Sequence, residues 1–498
     1  MLTSQDKKNS LWNTLSFVIS SLLNFLNYSL IYKTFDLNVF GFFILISSIF
    51  GIGASLDFGF GISTIKNIAE AKKKNDLKFI DKYFTTFFLV FLITGLIIVI
   101  ILFVYCIFVL KNSELLEKEN VKNLNFNLIT FLMIITFIFN YNNGYLKCTL
   151  EGFSEYVKLG QINILSVIFN TILFTMILIF NLDIYYLVSF ITIVSVFSFL
   201  ITFYYIFFYR KLINFKWRFY DFSLVKKYSQ YGINIQIASF LNSMIDVVIK
   251  YLIGLNLSFT WVSYFESGKK IINFSSGIIF STQRGLLVKL SEENIVGNLK
   301  MYLTKNLYYF SKMSNYYSII IYGIMNPLIC FFILFWFNSY ESMLIYLIFS
   351  LSYSFINFGG CLYAVLMIEG KGLKLLIIQT SNLILTYVML GISLSLFNNV
   401  FGLFGYYLSI LISIIIIFHY LYKSYGFDFK SYLKMSELYR IVILNFLIFI
   451  QIMTIVYYQE ELNYILVLSF IIFSLIYIKQ FVFILKLLYQ NIQNKFSY

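Results

Sequence analysis

Residues 244–254, MIDVVIKYLIG, place Asp246 and Lys250 four positions apart inside an otherwise apolar stretch. A second apolar stretch follows and contains ESGKK at residues 266–270. Each stretch is long enough to cross a bilayer as a helix, where one charged side chain at the centre costs at least about 2.5 kcal/mol. The fold must therefore keep five charged side chains away from lipid.

The composition is that of a membrane protein. Of 498 residues, 60% are hydrophobic and only 12% are charged, whereas about a quarter of the residues in soluble domains are charged. A single proline and scattered glycines indicate one membrane domain without long linkers. The four cysteines stand apart from one another, so no zinc site or disulfide framework is indicated, and we expect neither a metal nor a cofactor.

Fourteen apolar runs approach the length that spans the hydrocarbon core, and only helices or closed barrels satisfy every backbone group there. We therefore predict an all-α polytopic membrane protein. The predicted spans are residues 10–32, 39–62, 83–110, 126–146, 159–180, 184–208, 229–253, 260–282, 307–337, 342–368, 373–397, 403–422, 439–457 and 463–485.

The basic residues orient these spans. Most of the 37 lysines and arginines fall near the termini and in the loops at residues 66–82, 210–227, 284–305 and 423–440. Because loops rich in lysine and arginine stay in the cytoplasm, we predict cytoplasmic termini and a multi-pass protein of the bacterial cytoplasmic (inner) membrane. The net charge of +14 then reflects topology and anionic headgroups, and we expect no nucleic-acid partner.

An internal repeat appears when the chain is shifted by 218 residues. SLLN at residues 21–24 falls on SFLN at 239–242, and STIK at 63–66 falls on STQR at 281–284. We predict two parallel six-helix lobes around a central cavity, with two extra C-terminal helices. The predicted divisions are a first lobe at 1–209, a linker at 210–228, a second lobe at 229–427, and the last two helices with a cytoplasmic tail at 428–498.

Polar residues recur at steps of three and four on several predicted spans, so each of these helices has a polar face. The candidate site residues are of two kinds. For binding an anionic group we select Lys250, Lys269, Lys270 and Arg284. For polar contacts, ion binding or gating we select Asn24, Asn27, Asp57, Asn140, Asn143, Asp246, Glu266 and Asn273.

Two interpretations of the charged residues stay open. Asp246 and Lys250 share a helix face, and the simpler interpretation is a self-neutralised pair that joins helices. Glu266 cannot neutralise both Lys269 and Lys270, so this part of the second lobe is cationic and suits an anionic headgroup. Asp57 has a structural or gating interpretation beside the binding one.

Three stretches resemble the oligosaccharide-lipid flippases of polysaccharide biosynthesis, such as O-antigen flippases. They are LDFGFGISTIKNIAEAKKKNDLK at residues 56–78, MIDVVIKYLIG followed by VSYFESGKKIINF at 262–274, and GLFG at 402–405. These flippases belong to the superfamily that also contains MATE drug exporters and lipid II flippases. The resemblance covers nearly the whole chain.

The resemblance implies two MATE-like lobes, alternating access, and transport of undecaprenyl-diphosphate-linked oligosaccharide repeat units to the outer leaflet. It also implies membrane lipids, a polysaccharide polymerase and chain-length proteins as partners, and we expect a monomer. No Walker GxxxxGK[ST] sequence is present, so we expect no ATP hydrolysis.

Two other functions remain open at this point. A MATE-type drug or cation antiporter would need a carboxylate in its cavity, which Asp57 could supply, although the lysines near residue 270 oppose a cationic substrate. A polytopic polysaccharide polymerase would be an enzyme with a large external loop, but the longest predicted external loop covers only about residues 111–125. With one histidine and no Ser/His/Asp set, we expect a transporter and not an enzyme.

Overall fold

The computed structural model describes residues 4–54, 60–110, 124–296, 311–368, 372–425 and 436–496, and every regular element within them is a helix. The chain divides into two compact units, Met1–Ser263 and Tyr264–Tyr498. The first half contains α1 (Ser4–Thr34), α2 (Leu37–Ala54), α3 (Phe60–Lys73), α4 (Leu77–Tyr105), α5 (Phe126–Gly152), α6 (Tyr156–Phe180), α7 (Ile184–Tyr204) and α8 (Phe222–Asn256). It is followed by α9 (Phe259–Val296), α10 (Ser311–Ile324), α11 (Asn326–Phe337), α12 (Tyr340–Ile368), α13 (Gly372–Phe397), α14 (Phe404–Tyr425), α15 (Leu438–Tyr457) and α16 (Leu462–Phe496).

The predicted all-helical membrane fold is confirmed, and the described residues of each predicted span are helical, apart from the bend between α10 and α11. The spans 39–62 and 307–337 each include parts of two helices, α2 with α3 and α10 with α11. Among the described residues, nine helices are long and apolar enough to cross a membrane, and a tenth is formed if α10 and α11 count as one bent span. The long helices outside this set are α1, α8 and α9. Each of these helices includes residues whose side chains lie outside the described part of the chain, so the count does not extend over their full length.

The bend between α10 and α11 measures 49° and has a local cause. The last turn of α10 is a π-helical turn, Ile320–Ile324, and Pro327 lies in the first turn of α11. A proline has no backbone N–H to continue the helical hydrogen bonds, so the span kinks there.

Several helices are longer than their predicted spans. The predicted loop at residues 66–82 is mostly helical, because α3 continues to Lys73 and α4 begins at Leu77. Between them Asn75 adopts a positive φ of 54°, and the side chain of Asp76 accepts a hydrogen bond from the Phe79 backbone N–H at 3.0 Å. Alanine, glutamate and lysine, which occupy residues 69–73, all favour helix. The polar composition of this stretch is therefore compatible with a helix that extends beyond the membrane.

The helices follow the repeat of 218 residues. Adding 218 to the start of α1, α5, α6 and α7 gives 222, 344, 374 and 402, close to the observed starts of α8, α12, α13 and α14. In the second copy the positions equivalent to α2 and α3 lie on one continuous helix, α9. The two compact units divide the chain at residue 263. This division does not test the lobe boundaries, which remain a prediction.

In the first unit α1 packs along α6, and α5 packs against α3, α4 and α7. The helix α2 packs against α5 and α8. Hydrogen bonds between polar side chains reinforce this core, as between Thr136 and Thr192, whose hydroxyl oxygens lie 2.9 Å apart. These two buried hydroxyl groups are therefore hydrogen-bonded to each other.

In the second unit α15 packs on α12, while α16 packs on α11 and the end of α10. An ionic cluster joins α15 to α10: Glu437, just before α15, forms ion pairs with Lys312 and Arg440 and accepts a hydrogen bond from the Tyr316 hydroxyl at 3.1 Å. Burial alone would raise the pKa of Glu437, but the Lys312 hydrogen bond and the Arg440 charge outweigh it and lower the pKa. The two C-terminal helices are thus fixed to the second unit.

The connecting segment, residues 210–221, joins α7 to α8 and is held against the start of α4. The backbone N–H of Asn214 donates to a carboxylate oxygen of Asp81 at 2.8 Å. Asp221 forms an ion pair with Lys82 at 2.6 Å and caps α8 by accepting from the Ser223 backbone N–H at 2.9 Å. The hydrogen bonds from Lys82 and Ser223 lower the pKa of Asp221 from its ordinary 3.8 to about 2.

Candidate functional site

The first charged pair lies on α8. Lys250 is 3% exposed, its Nζ lies 2.9 Å from a carboxylate oxygen of Asp246 one turn earlier, and it donates to the Ser48 hydroxyl of α2 at 2.7 Å. The carboxylate of Asp246 is about one-third exposed, with 32% of its side chain accessible. The pair is therefore buried at its positive end and joins α8 to α2.

Toward the end of α8 the α1–α2 turn packs tightly against residues 256–263. Asn38 accepts hydrogen bonds from the backbone N–H of Thr260, at 3.1 Å, and from its hydroxyl. Ser263 donates to the Leu37 carbonyl at 2.6 Å. We call this set of contacts the hairpin contact.

A glycine makes the hairpin contact possible. A Cβ atom added to Gly41 would lie 1.8 Å from the carbonyl oxygen of Phe259, far inside van der Waals distance. The ring of Phe259 meets the ring of Phe42 edge-on, with centroids 5.5 Å apart. Backbone and aromatic side chains therefore close this end of the α1–α2 and α8–α9 helix pairs.

The second charged group lies on α9. Nζ of Lys270 is 3.4 Å from a carboxylate oxygen of Glu266, and 45% of the lysine side chain is exposed against 12% for the glutamate. Asn273, Phe274 and Gly277 follow on the same face and are exposed. These residues, with Glu266 and Lys270, form what we call the α9 polar face.

Two aromatic residues contact polar side chains of α9. The Tyr353 hydroxyl of α12 donates to the side-chain carbonyl of Asn273 at 3.3 Å. The Lys269 ammonium lies 5.5 Å from the ring centroid of Phe265, a distance at which a cation is attracted to an aromatic face. Lys269 thus occupies a different side of α9 from Lys270, as expected for adjacent positions on a helix.

The opposite side of α9 is fixed to α12. Ser267 donates to the Ser342 hydroxyl at 2.6 Å, and both residues are fully buried. A Cβ added to Gly268 would come within 2.9 Å of the Ser342 carbonyl, so the two backbones approach closely. This anchoring presents the α9 polar face on a rigid support.

The other predicted site residues are in varied surroundings. Asn24 and Asn140 are exposed, whereas Asn27 is buried. Asn143 is also buried and donates to the Ser198 hydroxyl at 2.8 Å, a contact that joins α5 to α7. Asp57 lies outside the described residues, and Arg284 lies on α9 where the side chains are outside the described part of the chain.

Within each unit the structure brings together some of the predicted residues. Asp246 pairs with Lys250, and Glu266 pairs with Lys270. Sequence reasoning missed Ser48 and Tyr353, which contact these groups. Ser48 had a signal, because it is the position that the repeat of 218 places on Glu266. Tyr353 had none, because its contact depends on how α12 packs on α9.

Comparisons with known proteins bear on the fold. No family model and no curated protein matches the sequence. Among solved structures, the lipid II flippase MurJ in an inward closed conformation aligns with a TM-score of 0.65 at 16% identity, covering 95% of this chain and 100% of that one. A MOP superfamily transporter from Pyrococcus furiosus aligns with a TM-score of 0.57 at 15% identity, covering 82% and 93%.

A MATE transporter from Vibrio cholerae gives a similar result, with a TM-score of 0.58, 14% identity, and coverage of 86% of this chain and 99% of that one. The chain has the fold of the MOP superfamily transporters. At these identities the likeness establishes the fold and the polytopic membrane architecture. It says nothing about which molecule the α9 polar face binds.

Proposed function

We propose that the protein is a flippase that moves undecaprenyl-diphosphate-linked oligosaccharide repeat units, of the O-antigen or capsule type, across the cytoplasmic membrane by alternating access. The observation that supports this most is the exposed ammonium of Lys270 on α9, which carries the predicted span 260–282. In the predicted span 260–282, Lys270 lies ten residues from the start, about 15 Å along the axis, which corresponds to the middle of a bilayer about 30 Å thick.

An exposed charge at that depth favours water or substrate as its neighbour, because lipid contact costs at least about 2.5 kcal/mol. Glu266 carries one formal negative charge and Lys269 and Lys270 carry two formal positive charges, so the sequence of this turn of α9 is net positive. A diphosphate carries the complementary charge and accepts charge-assisted hydrogen bonds from ammonium groups. We assign Lys270 to the diphosphate and Lys269 to its electrostatic attraction.

The neutral polar groups suit the saccharide. The amide of Asn273 and the hydroxyl of Tyr353 can exchange hydrogen bonds with sugar hydroxyls. Lysine ammonium groups act as point charges, so they hold a phosphate less rigidly than a forked guanidinium and favour release. The lipid tail stays in the bilayer throughout.

Lys250 has a different role in this proposal. It is buried against Asp246 and Ser48 in the state described here, so it stabilises the packing of α8 on α2 rather than binding substrate in that state. Together with the hairpin contact it closes one end of the α8–α9 pair. Under the predicted topology this is the outer end, and transport requires the hairpin contact to open.

Topology is tested by cysteine labelling. We expect a cysteine in place of Lys74, in the turn after α3, to react with a membrane-impermeant maleimide only after the cytoplasmic side is exposed. Labelling of this position from outside intact cells contradicts the proposed orientation.

The function is tested in proteoliposomes with the purified full chain. A fluorescent undecaprenyl-diphosphate oligosaccharide is placed in both leaflets, and its accessibility to a membrane-impermeant reductant is followed over time. We expect rapid loss of the protected fraction with the wild-type protein, and slow loss with Lys270→Ala and with empty vesicles.

Two further substrates separate the alternatives. A neutral fluorescent lipid of the same chain length should not be moved, because it lacks the phosphate charge. Proton- or sodium-dependent uptake of a cationic dye, with no movement of the diphosphate lipid, would establish the antiporter function instead. Lys423→Gln, which removes an exposed charge at the end of α14, is the control for charge loss alone.

A further inference from the structure

The connecting segment has a fixed backbone and an exposed aromatic and basic face. The segment contacts Asp81 and Lys82 of α4, as described above. In addition, the backbone N–H of Asp221 donates to the Thr86 hydroxyl at 3.0 Å. The ring of Phe215 packs edge-on against Phe88 with centroids 6.0 Å apart. These inward contacts hold the segment against α4, so its other side chains project from a defined support.

The projecting side chains are of two types. Trp217 is 71% exposed and Tyr220 is 44% exposed. Lys211, Lys216 and Arg218 are also exposed and alternate with these aromatic residues along the segment. Phe222, at the first position of α8, adds an apolar side chain that is 67% exposed.

This combination matches the chemistry of a membrane interface. Tryptophan and tyrosine favour the headgroup level, where an apolar ring contacts acyl chains and a polar atom contacts water. Lysine and arginine near an anionic leaflet gain about 1 kcal/mol each from the surface potential. The segment lies where α4 and α8 begin and α7 ends, and the predicted spans place these helix ends at the level of the headgroups.

We propose that the connecting segment is a binding surface for anionic phospholipid headgroups. The ammonium of Lys216 and the guanidinium of Arg218 contact lipid phosphates, while the Trp217 ring lies at the level of the glycerol backbone. Because the segment is already fixed on α4, lipid binding orders few additional groups. This surface is separate from the α9 polar face, and its assignment does not depend on the transported substrate.

The proposal is tested by quenching tryptophan fluorescence with brominated lipids. The full chain is placed in vesicles containing brominated phosphatidylcholine or brominated phosphatidylglycerol at equal mole fractions, and the emission of Trp217 is taken as the difference between the wild type and Trp217→Phe. We expect both lipids to quench Trp217, and the anionic lipid to quench it more strongly, with local enrichment of about fivefold for each basic residue in contact.

The double variant Lys216→Gln/Arg218→Gln should remove the preference for the anionic lipid while quenching by phosphatidylcholine persists. Lys423→Gln, an exposed lysine on α14, should keep the preference. Equal quenching by the two lipids in the wild type overturns the proposal, and so does a Trp217 signal that neither lipid quenches, because the face would then contact water or protein. Unchanged melting temperatures show that the variants are folded.

Discussion

The two copies of the repeat differ where their first helix pairs carry charge. The shift of 218 residues aligns Tyr28 with Asp246, Tyr32 with Lys250, Ser48 with Glu266, Gly51 with Lys269 and Ile52 with Lys270. Every one of these positions is neutral in the first copy and charged in the second. The counterparts of α1, α5, α6 and α7 nevertheless begin at nearly equivalent positions, so this shared part of the architecture forms with and without the charges.

The difference separates polar residues that serve packing in the first copy from charged residues that occur only in the second. In the first copy Tyr28 is buried, and its hydroxyl donates to the Ser263 carbonyl at 3.4 Å. In the second copy Lys250 takes a buried position but requires Asp246 and Ser48 as partners. A neutral side chain can pack at this depth at a lower free-energy cost, because a buried ion pair often stabilises a fold no better than apolar residues of similar size.

The largest expected effect separates substrate binding from pairing on α9. Lys270→Ala should lower the flipping rate about tenfold or more, from the loss of a charge-assisted hydrogen bond of about 1.5–3 kcal/mol. If Lys270 only neutralised Glu266, then Glu266→Gln/Lys270→Gln would restore much of the rate, because no unmatched charge would stay in the membrane. We expect the double variant to remain inactive.

The first copy supplies the control for this measurement. Ile52 is the position equivalent to Lys270 and carries no charge, so Ile52→Ala should leave flipping close to the wild-type rate. Recovery of flipping in the double glutamine variant would end the assignment of Lys270 to the diphosphate. Membrane abundance of every variant is measured in parallel by immunoblot.

The next effect concerns stability and lies on α8. Asp246→Asn should lower the free energy of unfolding by about 3 kcal/mol, because the charge of buried Lys250 loses its carboxylate. Asp246→Asn/Lys250→Met should recover most of that loss. Thermal unfolding in detergent measures both.

The first-copy counterpart of Asp246 should behave differently. Tyr28→Phe removes only a long neutral hydrogen bond, which corresponds to about 1 kcal/mol or less. Equal losses of unfolding free energy from Tyr28→Phe and Asp246→Asn would show that the charged pair stabilises the second copy no more than a neutral hydrogen bond stabilises the first.

A glycine pair tests the hairpin contact. Gly41→Ala places a Cβ against the Phe259 carbonyl and should destabilise the closed state by about 1–3 kcal/mol, the range for overpacking. Gly51→Ala meets no atom within 4 Å and should stabilise α2 by about 0.5–1 kcal/mol, because glycine is unfavourable inside a helix. Opposite signs in melting temperature are expected, and equal shifts contradict the close contact at Gly41.

Most of the fold was predictable from the sequence because the bilayer imposes it. Apolar length fixes a span, and only a helix satisfies its backbone. Helix ends were less predictable: α9 extends to Val296, fourteen residues beyond the predicted end at 282. Hydropathy detects the part of a helix within the hydrocarbon, whereas the backbone hydrogen bonds of α9 continue into the polar region.

The sequence predicted only those features of the candidate site that depend on helical periodicity. Steps of four placed Asp246 with Lys250 and Glu266 with Lys270, and both pairs form. Periodicity could not show that Lys250 is buried while Lys270 is exposed, since that depends on the approach of α2 to α8. Neighbours that are distant in sequence therefore decide which of two similar lysines is exposed.

The smallest expected effect concerns the start of the charged copy, where Asp221 caps α8. Its pKa is lowered from 3.8 to about 2, so its contribution to stability is fully present above pH 3.8 and is lost as the pH falls toward 2. Asp221→Asn keeps an equally good cap but loses the charge that pairs with Lys82. Between pH 5 and pH 8 this pair should therefore contribute little pH dependence to the free energy of unfolding. Below pH 4 that free energy should decline in the wild type, and Asp221→Asn and Lys82→Gln should each make the decline less steep. A decline as steep in both variants as in the wild type would show that other carboxylates cause it and that the charged copy is not fixed at its start by this ion pair.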